Sequence, residues 1–192
     1  MSTPTKLISY EDSLLMPENK LEEIVHGESR IMPSSTWEHV HLSEVLAESL
    51  REQLPAGLYY VTSSGAGLGI ERDPLTYRIP DLLVFRKEAV RQGRIRSGKR
   101  DPYIWAVPEL LVECLSPSNR KGSIMELLAD YERIGVPEAW LLDPEQPRFT
   151  SYFYDSGALR EHQQLSRGIV SPRFLPGVSV DLADLWAAFE EE

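Results

Sequence analysis

The chain has 192 residues, 42% of them hydrophobic and 26% charged, and a net charge of −10. That length and balance suit a single soluble domain spanning residues 1–192 and exclude a disordered or fibrous chain. No stretch approaches the roughly 18 apolar residues of a membrane span, no signal peptide is read at the start, and the one cysteine, Cys114, excludes an internal disulfide or a cysteine-built zinc site; a reducing, cytoplasmic setting is expected.

In chain order, "LEEIVHGESRIM" gives two short strand-like runs about Gly27, a hairpin. "SSTWEHVHLSEVLAESLREQL" has helical spacing, with Trp37, Val45, Leu46 and Leu50 mostly on one face and a capping box expected from Ser35 and Glu38. "AGLYYVTSS" and "GLGIER" read as strands. "RIPDLLVF", entered through Pro80, and "PELLVECL" read as two more, nearly continuous apolar runs. "GSIMELLADYERIGVPEAW" predicts a second helix, capped by Ser123 and Glu126, striped by Ile124, Leu127, Leu128, Tyr131 and Ile134, and stopped at Gly135. "EAWLLDP" is a strand, "RFTSYFYDSGALREHQQL" a hairpin turning at Asp155-Ser156-Gly157, and "DLADLWAAFEEE" a closing helix. The aromatics Trp105, Trp140, Tyr152, Phe153 and Tyr154 read as packing residues. Helices interleaved with strands predict an α/β fold of mixed α+β type, a sheet covered by helices.

The charge is uneven. "RKEAVRQGRIRSGKR", Arg86 to Arg100, holds seven bases and one acid, so the rest of the chain stands at −16. A net negative chain repels phosphates, but this strip is either a local phosphate-facing surface or a solvated loop. Its candidate nucleic-acid contacts are Arg94, Arg96, Lys99 and Arg100.

Two carboxylates stand out. Asp81 heads one apolar strand and Glu113 lies inside another, where an unpaired charge is costly. On neighbouring strands the two could hold Mg²⁺, a hard cation that takes oxygen ligands and keeps several waters. The backbone carbonyl of Cys114 and the carboxylate of Glu28 are candidate further ligands. The plainer readings are a turn aspartate after proline and an edge or salt-bridged glutamate.

The pieces "ISYEDSLLMPENKLEEIVHGESRIMPSSTWEH", "RIPDLLVF", "PELLVECLSPSN", "ADYERIGVPEAWLLDPE" and "PGVSVDLADLW" run nearly end to end. In that order they resemble the restriction-endonuclease-like family of the PD-(D/E)XK nuclease fold, once catalogued as a domain of unknown function. The resemblance implies a central mixed β-sheet flanked by helices. It implies a divalent metal, Mg²⁺ or Mn²⁺, on Asp81 and Glu113, and DNA hydrolysis as the activity. It also implies a lysine, either two residues after the glutamate or on the following helix four before a tyrosine; here those positions are Leu115 and Leu127. Lys121 is the nearest substitute cation, and His39 falls where relatives carry a histidine. Two-strand cutting calls for two sites, hence a homodimer. The competing expectation is a nuclease-fold protein without catalysis that binds nucleic acid or a protein partner; a Mg²⁺ phosphoesterase acting on another ester fits the same residues.

Overall fold

The computed structural model describes residues 7–16, 22–32, 36–63, 65–97, 101–115 and 121–187. A short helix, α1 (Tyr10–Ser13), precedes the hairpin β1 (Glu22–Val25) and β2 (Glu28–Ile31), and the long helix α2 (Trp37–Gln53) follows. Next come β3 (Tyr59–Ser63), β4 (Leu68–Arg72), β5 (Leu75–Arg78), β6 (Leu82–Arg86), α3 (Lys87–Ser97) and β7 (Leu110–Cys114). The chain continues through α4 (Lys121–Arg133), β8 (Glu138–Asp143), β9 (Arg148–Asp155), β10 (Ala158–Leu165), β11 (Ile169–Val170), β12 (Val180–Asp181) and α5 (Leu182–Ala187).

The central sheet is mixed, in the order β10-β9-β8-β7-β6-β3. Its β7–β8 pair is parallel and the other neighbours are antiparallel. Parallel neighbours need a crossover, and α4 supplies it. Alternation along the strands builds two cores. Leu82, Val84, Leu110, Val112 and Cys114 face α2 and its Leu42, Leu46 and Leu50. Leu83, Phe85 and Leu111 face the other way, onto Leu128 and Tyr131 of α4 and Val90 of α3. A buried leucine contributes about 1.5–3 kcal/mol and a helix N-cap about 1 kcal/mol. The leucine stripe therefore holds α2 on the sheet, and the cap only sets where it starts.

Several expectations change in detail. The α2 cap is Thr36, whose hydroxyl accepts from the His39 N–H at 3.3 Å, while Ser35 lies outside the described residues. Trp37 does not join the stripe: it is 69% exposed and stacks on His41 with ring centroids 5.4 Å apart. Ser123 does not cap α4, because that helix already begins at Lys121; Glu126 pairs instead with Arg30 at 2.7 Å. A second sheet, β2-β1-β5-β4, stands beside the central one, and "RIPDLLVF" is divided between β5 and β6 at Ile79-Pro80-Asp81.

The basic segment is the largest correction. The sequence leaves it either a phosphate-facing surface or a solvated loop, yet residues 87–97 form α3. The run from Lys87 to Gln92 consists of residues a helix accepts, and Glu88 supports it by bonding Arg91 at 2.6 and 2.8 Å. Gly93 does not interrupt the helix. It lets the helix lie against the chain, since a Cβ there would come within 2.6 Å of the Trp105 carbonyl oxygen. The Asp155–Ala158 turn is as expected: Ser156 and Gly157 both take positive φ, 51° and 88°, as a tight two-residue hairpin requires.

Candidate functional site

Leu82 lies opposite Val112 in the β6–β7 ladder, so the next pair outward is Asp81 with Glu113. Alternation puts both side chains on the face of Leu83 and Leu111, at the end of the sheet nearest the start of α2. Directly opposed Cβ atoms stand about 4.5–5.5 Å apart in an antiparallel pair. The two carboxylates seen in the sequence are thus neighbours across one ladder step.

Each is held by the surrounding elements. Asp81 Oδ2 accepts from the Cys114 N–H at 2.7 Å, and Oδ1 lies 2.6 Å from His39 Nε2. Asp81 is acceptor-only as a carboxylate, so Nε2 carries the hydrogen of that bond. The other ring nitrogen, His39 Nδ1, is buried with no hydrogen-bond partner among the described residues. Glu113 Oε1 accepts from the hydroxyl of Tyr131 on α4. Burial first, and then the charge of Asp81, push the Glu113 carboxyl well above the ordinary carboxylate range; the Tyr131 hydroxyl and a more distant Arg78 draw it down by less. The Tyr131 hydroxyl is pushed up in turn by burial and by Glu113. The same causes, burial before charge, push up the Cys114 thiol and leave it an unreactive core group.

Beside this pair runs a second charged group. Arg78, at the end of β5, donates to Asp130 Oδ2 at 2.8 and 2.6 Å and to Glu23 Oε2 at 3.0 Å. Glu23 Oε1 accepts the Ile79 N–H at 2.7 Å. Burial opposes the Arg78 charge, but Glu23 and Asp130 outweigh it and hold the guanidinium firmly protonated.

The remaining candidates divide. His39 does reach Asp81. Glu28 does not join the pair: it is exposed on β2, and the hairpin carboxylate that acts on Glu113 is Glu23. Arg94 and Arg96 are exposed on α3, which begins at the end of β6 away from Asp81. Lys99 and Arg100 lie outside the described residues, as does the side chain of Lys121, the first residue of α4. Leu115 and Leu127 are both partly buried, and Leu127 packs against the core under α4. Among the described residues, no three His, Cys, Asp or Glu side chains are grouped to hold a metal. Two residues were missed as participants. Tyr131 was read as packing alone, although a tyrosine in an apolar stripe needs a partner for its hydroxyl. Arg78 was legible as a lone cation in "LTYRIPDLLVF".

A mixed sheet with two opposed carboxylates at one end defines a restriction-endonuclease-like architecture. The chain belongs to the Uma2 family, described as "Putative restriction endonuclease", whose pattern matches residues 9–183. Among solved structures it is similar to a protein from Anabaena variabilis described as a putative nuclease belonging to DUF820. The two share 17% identity and a TM-score of 0.76, with 94% of this chain and 98% of that one covered. No curated protein matches. Among the described residues, no helix is long and apolar enough to cross a membrane.

Proposed function

We propose that the protein is a divalent-metal-dependent nuclease acting on DNA, with Asp81 and Glu113 as its metal ligands. The observation that carries this is the opposition of the two carboxylates at the end of the β6–β7 ladder, with Glu113 pushed up by burial and then by the charge of Asp81. A cation between them offsets that repulsion. The donor set suits Mg²⁺ or Mn²⁺: two carboxylates, the Cys114 carbonyl and water. The metal, when bound, would polarise the scissile phosphodiester and lower the pKa of a bound water.

The protein's own groups have separable tasks. Asp81 and Glu113 hold the negative charge that recruits the ion. His39 and the Cys114 N–H fix the orientation of Asp81, and Tyr131 fixes Glu113, as groups around metal ligands generally do. Lys121, at the start of α4, is the candidate for the cation that stabilises charge developing on phosphate. Arg94, Arg96, Lys99 and Arg100 are the proposed backbone contacts. Duplex cleavage would use two copies, one site for each strand.

The test is cleavage of plasmid and short duplex DNA with Mg²⁺ or Mn²⁺, in the wild type and in Asp81→Asn and Lys121→Ala. Metal-dependent cleavage lost in Asp81→Asn is expected, with Lys121→Ala slower by roughly 10²–10³-fold. One observation favours a second reading. Leu115 and Leu127 occupy both usual lysine positions, and Leu127 is part of a core, so the chain could bind nucleic acid or a protein without cutting. A wild type that binds Mg²⁺ and DNA but cleaves nothing, and stays inert as Leu127→Lys, would establish that reading.

A further inference from the structure

The edge of the central sheet at β3 opens, on the face that carries Asp81, into a groove of about 560 Å³ between β3 and α3. Tyr60, Thr62, Phe85, Lys87, Arg91 and Arg94 line it, with Val90 and Ile104 behind them. No residue of the carboxylate pair takes part. Phe85 shares a face of β6 with Leu83, and Asp81 stands just before the strand, four residues from Phe85, which is about 13 Å at the strand rise. The groove is therefore a separate site on the same face.

Its chemistry is mixed in a specific way. Lys87, Arg91 and Arg94 face one acid, Glu88, and Glu88 is engaged by Arg91 at 2.6 Å. Arg94 has no hydrogen-bond or ion-pair partner among the described residues. Lys87 Nζ lies 4.8 Å from the centroid of the Tyr60 ring and has no carboxylate partner among them. Two cations thus stay available for an anion on a chain whose net charge is −10. The Tyr60 ring, 50% exposed, adds a flat apolar surface. An apolar ligand would leave the cations without a counter-charge, and a bare inorganic anion would leave the aromatic and aliphatic wall unused. A phosphate joined to a planar aromatic group uses both, and the volume falls within the roughly 300–1,000 Å³ of small-ligand pockets.

We propose that this groove binds a nucleotide, its phosphate between Lys87 and Arg94 and its base against Tyr60. The nucleotide is either free in solution or part of a strand held at the carboxylate site. Only the second source rests on the nuclease reading. Isothermal titration in EDTA, so that no metal or cleavage intervenes, tests the idea with deoxyadenosine 5′-monophosphate, deoxyadenosine, inorganic phosphate and a thymidine hexanucleotide. The monophosphate is expected to bind more tightly than the nucleoside or phosphate alone. Lys87→Ser with Arg94→Ser should weaken it about tenfold or more, as the loss of charge-assisted bonds implies. Tyr60→Ala should weaken it, Tyr60→Phe should retain it, and Asp81→Asn should leave it unchanged. An unaltered melting temperature checks that the variants fold. A hexanucleotide tighter than the monophosphate, with the same response to the double substitution, assigns the groove to a strand; equal affinities assign it to free nucleotide. Absence of monophosphate binding, binding indifferent to the double substitution, or nucleoside or phosphate matching the monophosphate would overturn the proposal. Retained binding in a protein that cleaves nothing would count against the nuclease reading alone.

Discussion

Glu23 and Asp130 are buried carboxylates that share one guanidinium, Arg78, through bonds of 2.6 to 3.0 Å. Among the described residues, Asp81 and Glu113, at one end of the central sheet, are held by a histidine, a backbone N–H and a tyrosine hydroxyl. A backbone N–H and a tyrosine hydroxyl orient a carboxylate without cancelling its charge, and burial, then the charge of Asp81, pushes Glu113 up. The first group is charge-compensated from within and ties β1, β5 and α4 together. The second has no such guanidinium among the described residues, which is why it is the proposed site for a cation. Burial alone therefore does not mark the site, since Asp130, at 1% exposure, is at least as well buried as its neighbours. What separates structural from candidate functional carboxylates is whether the fold supplies the counter-charge.

The comparison breaks most visibly if the internal counter-charge is removed. Arg78→Met should strand Glu23 and Asp130 and cost about 3–5 kcal/mol, the usual penalty for half of a buried ion pair. Urea unfolding would read this, and a loss below about 1 kcal/mol would show that Arg78 is not the counter-charge of Glu23 and Asp130.

On the other side, Glu113→Gln removes a repulsion instead of a partner. The Glu113 carboxyl is raised in the fold, so its favourable protonated form predominates at low pH, and stability falls as pH rises above its unfolded value. Glu113→Gln should therefore stabilise the metal-free protein near neutral pH, read as a higher urea midpoint in EDTA. It should also lose the upward shift in melting temperature that Mg²⁺ or Mn²⁺ is expected to give the wild type. A destabilised Glu113→Gln protein in EDTA would show that the pair is not in conflict.

Glu138 is a third, intermediate case: buried, it accepts from the Trp140 indole at 2.7 Å and the Arg173 N–H at 2.8 Å, and the Arg173 charge adds only a smaller pull. Burial raises its carboxyl to about 7, against the pull of those bonds. The native state thus holds a proton that the unfolded chain releases near pH 4.5. Stability from this group is complete below that value and is lost as pH climbs through 7. Glu138→Gln should flatten that part of the stability–pH curve, and an unchanged slope would remove Glu138 as its source. The smallest effect is expected for Tyr131→Phe, about 0.5–1.5 kcal/mol for one hydrogen bond, with a further rise of the Glu113 carboxyl detectable by NMR titration.

Much of this was legible in the sequence because it rests on alternation. "RIPDLLVF" and "PELLVECL" each place one carboxylate out of step with an apolar run, and the hairpin at Ser156-Gly157 follows from turn chemistry. Tertiary partners were less legible. The helix at 87–97 was hidden by a glycine whose reason is the distant Trp105 carbonyl. The Arg78 group was hidden because Glu23, Arg78 and Asp130 are spread over more than a hundred residues. Thr36 was passed over for its neighbour Ser35, an ambiguity of one position that composition does not resolve.

Strands β6 and β7 carry two messages in one reading frame. Their alternate residues build the core beneath α2, and the residues between them present the carboxylates and the core beneath α4. A single-residue insertion or deletion between Pro80 and Leu82 would shift Asp81 against the rest of the strand, and a slip of the whole strand would exchange its two faces. Substitutions around the site, such as exchanges at Leu115 or Leu127, leave this frame intact. Changes of length do not, so variation near Asp81 should be tolerated as exchanges of residue and eliminated as changes in spacing.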